Sequence, residues 1–87
     1  MWYVYVLENK SDNMLYTGCS NDLRKRVELH NAGKVPATKL RRPLMLIYYE
    51  AYLNKFDAFV REKWLKTGWG RNYLKKTLKH YFHEKDN

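Results

Sequence analysis

Apolar positions fall in two rhythms along this chain. From Trp2 to Leu7 every residue is apolar or aromatic, so both alternating sets (Trp2, Val4, Val6 and Tyr3, Tyr5, Leu7) are hydrophobic. A strand apolar on both faces is predicted to lie centrally in its sheet. Glu8 to Asn13 is polar, and Ser11-Asp12-Asn13 carries turn chemistry. Met14 to Thr17 reads as a second short strand ended by Gly18, which would complete an antiparallel hairpin. The rhythm then becomes helical. With Ser20 or Asn21 as cap, a helix is predicted from about Asp22 to Asn31, stopped by Gly33. Its inward stripe is Leu23, Arg26, Val27 and His30, at i, i+3, i+4 and i+7. Two of those four are polar. An arginine on such a face is costly unless an anion or partner meets it.

Lys34 to Pro43 reads as a basic loop, either solvated or touching phosphate. Leu44 to Ala51 is predicted as a third strand. Asn54 would cap a helix reaching about Thr67, with Phe56, Phe59, Val60 and Trp64 as its core stripe. Glu62 falls about 60° around from Phe59, at the rim of that stripe. Gly68 and Gly70 are expected to break the helix, and Arg71 to about Phe82 to form the last one. The expected fold is α+β, a small three-stranded antiparallel sheet flanked by helices in the order β-β-α-β-α-α. One domain is expected over 1–83, with a frayed tail at 84–87.

Charge narrows the partner. The 87 residues carry a net charge of +8, and residues 51–87 hold nine basic and four acidic residues against eight and five in 1–50. Such a field draws polyanions, nucleic acid foremost, although a soluble basic surface looks the same. No apolar run is long enough to span a membrane. With a strand read from residue 2, no signal peptide is expected. The single Cys19 excludes an internal disulfide and a multi-cysteine zinc site, in keeping with a cytoplasmic protein.

Tyr3-Val4-Tyr5, then Tyr16-Thr17-Gly18, then Arg26, His30 and Glu62 resembles the GIY-YIG nuclease superfamily. The chain looks most like its small single-domain bacterial members, related to the endonuclease module at the N-terminus of the excision-repair subunit UvrC. The resemblance runs from Trp2 to about Tyr81. Tyr3 replaces the motif's first glycine, and Val4 and Thr17 replace isoleucines; none of these removes a reacting group.

The resemblance implies a metal-dependent endonuclease that hydrolyses DNA phosphodiesters with low sequence specificity, in repair or processing. It places Tyr5, Tyr16, Arg26, His30 and Glu62 at the catalytic positions. Glu62 would hold one Mg²⁺ or Mn²⁺, hard cations that take oxygen ligands and keep several waters. Arg26 offers a fixed fork of donors to phosphoryl oxygens. Tyr5 would serve as base with His30 accepting its proton, and Tyr16 as a phosphate or water ligand; the tyrosines could also exchange roles. Lys25, Lys39, Arg41, Arg42, Lys63, Arg71 and Asn72 are the positions expected to touch nucleic acid, DNA ahead of RNA. Trp69, between two glycines, is the aromatic residue expected to be exposed for stacking. Monomer and weak homodimer both fit, and a protein partner could supply targeting. A nucleic-acid-binding module without catalysis is the alternative.

Plainer roles exist for each residue. Strand tyrosines are usually core, a helix histidine is usually structural, and Glu62 can pair with Lys66 one turn on. Cys19 reads as an inert small residue because no base has the spacing to activate it.

Overall fold

The computed structural model describes residues 1–85. Three strands, β1 (Trp2–Asn9), β2 (Leu15–Ser20) and β3 (Leu44–Tyr52), form one antiparallel sheet in the order β2-β1-β3. The doubly apolar strand is therefore the central one. Its alternation sends Val4 and Val6 to one face and Tyr5 and Leu7 to the other. Helix α1 (Leu23–Asn31) covers the second face, and α2 (Lys55–Leu65) and α3 (Gly68–Thr77) cover the first. A short α4 (Lys79–Lys85) follows. Of the tail expected over 84–87, Glu84 and Lys85 continue α4, and residues 86–87 lie outside the described residues.

Local chemistry sets the turns. In the β1–β2 hairpin Asn13 takes a positive φ of 62°, and the Asp12 carboxylate accepts from the Met14 N–H. The cap of α1 is Asp22, one residue past the expected pair: its carboxylate accepts from Lys25 N at 3.1 Å, while Ser20 Oγ accepts from Asp22 N. The Asn31 side chain both donates to Leu44 O and accepts from Leu44 N, each at 2.9 Å. It thereby ties the end of α1 to the start of β3.

Several expected boundaries shift. Gly18 does not end β2; it sits within the strand, opposite Tyr5. The basic loop contains a 3-10 helix, Pro36–Arg41, that begins at a proline. The long helix expected to Thr67 stops at Leu65, because Thr67 instead caps α3 by accepting from Gly70 N. The two glycines thus lie in the first turn of α3. A Cβ on Gly70 would stand 2.7 Å from the Leu65 carbonyl carbon and closer still to Trp64 O, so this glycine lets α3 start against the end of α2. The last helix is two, broken at Leu78.

The inward face of α2 also differs from its expected stripe. Of the expected stripe, Trp64 packs against the core and Phe59 is half-buried, whereas Phe56 and Val60 are each 69% exposed and Ala58 and Leu65 are buried in their place. Hydrophobicity alone mis-set the helix's rotation because a polar clamp competes with it. Arg61 bonds both Glu50 oxygens at 2.8 and 3.0 Å, and its guanidinium lies over the rings of Trp64 and Tyr73 at 4.6 and 4.8 Å. Tyr52 (2.7 Å) and Tyr48 also donate to Glu50.

Candidate active site

The register of the hairpin builds the centre of the site. Tyr5 on β1 pairs with Gly18 on β2, and Leu7 with Tyr16. Tyr5, Tyr16 and Gly18 therefore share the α1 face of the sheet. Because Gly18 has no side chain, the Tyr5 phenol lies over it: a Cβ there would be 2.5 Å from Tyr5 Cζ and nearer still to Oη. Tyr5 is 1% exposed.

Helix α1 supplies the next groups. His30 is fully buried, and its Nε2 meets Tyr5 Oη at 2.8 Å. Its Nδ1 meets Thr38 Oγ1, on the 3-10 helix, at 2.6 Å. The Tyr16 ring stands edge-on to the imidazole with 5.1 Å between centroids. Arg26, one turn before His30, is half-buried on the same stripe. Burial, followed by the Arg26 charge, pushes the His30 pKa down to about 4. The imidazole is therefore neutral near pH 7. Burial pushes the Tyr5 phenol up, and the Tyr16 and Glu62 charges add to this, while Arg26 pulls it back.

Glu62 approaches from the opposite side of the sheet. Helix α2 packs on the Val4–Val6 face, yet the charge of Glu62 is felt at both Tyr5 and Cys19. The carboxylate also pairs with Lys66 at 2.7 Å, so the plainer role is realised as well. Burial, with Glu62 second, raises the Cys19 thiol, which keeps it protonated and fits an inert residue. A cavity of about 220 Å³ opens beside this edge, lined by Tyr16 and Thr17 of β2 and by Lys66 and Arg71 of α2–α3.

The other basic positions are scattered. Lys25, Lys63, Arg71 and Asn72 are exposed on three helices, and Lys39, Arg41 and Arg42 on the 3-10 segment. Arg42 is engaged internally, donating to Lys39 O at 3.0 Å and Asn31 O at 3.4 Å. Arg41 pairs loosely with Asp12 at 3.9 Å. Trp69 is 78% exposed, as its glycine neighbours suggested. Sequence reasoning passed over Thr38, a lone hydroxyl in a basic loop with no pattern to mark it. It treated Lys66 only as a partner for Glu62, although its spacing from Arg71 places both on the α2–α3 junction.

This arrangement meets its family here. The model of the GIY-YIG catalytic domain matches residues 1–82. The chain belongs to the GIY-YIG family. A UPF0213 protein of Staphylococcus haemolyticus (strain JCSC1435) is 46% identical over 66 residues, which is 75% of this chain and 79% of that protein. UPF0213 proteins of Staphylococcus aureus, strains Mu3 and N315, match at the same identity and coverage. No solved structure matches the chain. GIY-YIG is a nuclease family, so nucleic acid is the partner that membership implies. Among the described residues, no helix is long and apolar enough to cross a membrane.

GIY-YIG nucleases generally use a divalent ion. Among the described residues no group of three or more His, Cys, Asp or Glu could cage one. Glu62 alone is a partly accessible carboxylate at the β2 edge. One carboxylate completed by water and substrate oxygens is a donor set that suits Mg²⁺, so the residues fit.

Proposed function

We propose that this GIY-YIG protein is a metal-dependent endonuclease that hydrolyses DNA phosphodiester bonds with low sequence specificity. The buried 2.8 Å bond between Tyr5 and a neutral His30, with Arg26 one turn away, carries this reading. A core tyrosine needs only one partner for its hydroxyl. It does not need an arginine sharing its inward helix stripe.

Hydrolysis builds negative charge on the non-bridging and leaving oxygens. Arg26 would hold the phosphoryl oxygens with its fork and offset that charge where it develops. Tyr5, fixed by His30, would take the proton of the attacking water, and Tyr16 would orient that water or the phosphate. Lys66 and Arg71 would hold the backbone on either side of the cut, a contact that carries no sequence information. Glu62 would hold the divalent ion, which would supply Lewis-acid stabilisation of negative charge when bound. Lys66 would then exchange Glu62 for a substrate phosphate.

A binding module without catalysis is the second reading, favoured by the Lys66–Glu62 ion pair, which occupies the proposed metal ligand. The two separate in one experiment. Labelled single-stranded, duplex and branched DNA, and RNA, are incubated with Mg²⁺ or Mn²⁺ and with chelator, alongside Glu62→Gln. Metal-dependent cutting that Glu62→Gln abolishes supports the enzyme. Tight binding with no cutting of any substrate supports the module.

A further inference from the structure

The cavity beside Tyr16 does not end at α3. Leu15 and Arg71 line both that cavity and a second hollow of about 650 Å³, which lies between the β1–β2 hairpin and α3–α4. The two make one groove running from Tyr16 along the hairpin to α4. Arg71, Lys75 and Lys79 recur every fourth residue along its helical side, and all three are exposed. Among the described residues no carboxylate pairs with any of them. Glu8, an acid on the same wall, is 3% exposed, and its carboxylate accepts from Tyr81 Oη at 2.6 Å. The rim is therefore cationic, and a polyanion is its complement.

The floor has a different chemistry. Met14, which is 49% exposed, and Leu15 come from the hairpin, and the half-buried Phe82 ring comes from α4. A duplex turns its phosphates outward and keeps its bases stacked inside. It would meet the lysines and leave this apolar floor facing water. An unpaired strand offers both a charged backbone for the rim and base faces for the floor, the combination that single-strand grooves use. At 1.5 Å per residue, Arg71 to Lys79 covers about 12 Å. One strand of a duplex carries a charge about every 3.4 Å and an unpaired strand is more extended, so the row faces about two or three phosphates.

We propose that this groove holds a short unpaired segment adjoining the cut, with Lys75 and Lys79 on its phosphates and a base seated on Phe82 and Met14. The substrate class is then nucleic acid with a single-stranded stretch beside the scissile phosphate. That cutting preference rests on the nuclease reading; strand binding needs only the nucleic-acid partner.

Binding is measured on the full-length protein in chelator, so that nothing is cut. The probes are a labelled oligothymidylate, a blunt duplex, and the same duplex bearing a short overhang. Wild type is expected to hold the oligothymidylate and the overhang more tightly than the blunt duplex. Phe82→Leu keeps an apolar side chain without the ring. Its affinity for the two unpaired probes is expected to fall about 5–100-fold, with the blunt duplex unchanged. Lys75→Gln and Lys79→Gln change only exposed side chains and carry the test should Phe82→Leu fail to fold. Each is expected to reduce the log–log salt slope on oligothymidylate by about 0.7. Lys76→Gln makes the same charge change on α3 outside the groove and is expected to leave that slope unchanged. A blunt duplex held as tightly as the overhang, a Phe82→Leu loss equal on all probes, or one slope shared by the three lysine variants overturns the assignment, as does a wild type that binds no probe. If wild type binds the unpaired probes but cuts nothing with Mg²⁺ or Mn²⁺, the nuclease reading fails and the affinities still decide the groove.

Discussion

Gly18→Ala perturbs the site at its narrowest point. The added Cβ would stand 2.5 Å from Tyr5 Cζ, where ordinary contact begins at 3.4 Å, so the ring must retreat by about 0.9 Å. It has little room: Tyr5 is 1% exposed and packed with Leu7, Leu44, Leu23 and Val27. Forcing such a shift in a packed core costs about 1–3 kcal/mol. Strain on the 2.8 Å bond to His30 adds about 1 kcal/mol. The total, about 2–4 kcal/mol, corresponds to a fall in Tm of about 10–20 °C for a domain of this size. A misplacement of about 1 Å at the proposed base should also lower kcat by about a hundredfold.

Gly68→Ala is the control. A Cβ there meets nothing within 4 Å, in the first turn of α3, and is expected to leave Tm unchanged or raise it slightly. Thermal melts by circular dichroism and single-turnover cleavage measure both variants. If Gly18→Ala melts and cuts like wild type, the phenol does not depend on the gap at residue 18, and the placement of Tyr5 is refuted.

His30 makes stability depend on pH. Its folded pKa of about 4 lies below the 6.5 of the free group, so the unfolded state binds more protons between those values. Stability is therefore full above about pH 6.5 and declines as pH falls toward 4, by on the order of 3 kcal/mol. Urea unfolding at pH 7 and pH 4.5 should show this loss, and His30→Gln should flatten it; an equal slope in both would remove His30 as its source. Arg26→Lys keeps the charge and loses the fork, so cleavage should drop about 100–1000-fold while DNA affinity at low salt changes little. Parallel losses of cleavage and affinity would make Arg26 an anchor only. DNA affinity should fall steeply with salt, and Lys66→Ala and Arg71→Ala should each reduce the log–log slope by about one. A slope unchanged in both variants would remove these side chains from the phosphate path.

Much of the fold was legible because its signals are local. The doubly apolar run at Trp2–Leu7 could only be a central strand, and the sheet order β2-β1-β3 follows from that burial. The stripe Leu23, Arg26, Val27, His30 faces inward as its spacing requires, because 3.6-residue periodicity is set within one helix. The rotation of α2 was not legible. Phe56 and Val60 are as hydrophobic as any core residue, but the Glu50–Arg61 clamp, formed between β3 and α2, turns them to solvent. No periodicity within α2 encodes a partner eleven residues upstream.

The same division holds at the site. Sequence by itself determined the family pattern of Tyr5, Tyr16, Arg26, His30 and Glu62 and its order along the chain. Tertiary structure decided what approaches Gly18, which is the Tyr5 phenol, and what holds His30, which is Thr38 from a loop eight residues on. Those decisions depend on strand register and on the packing of a 3-10 turn against a helix. Both are set by the summed burial of many residues, and no single residue's chemistry announces them.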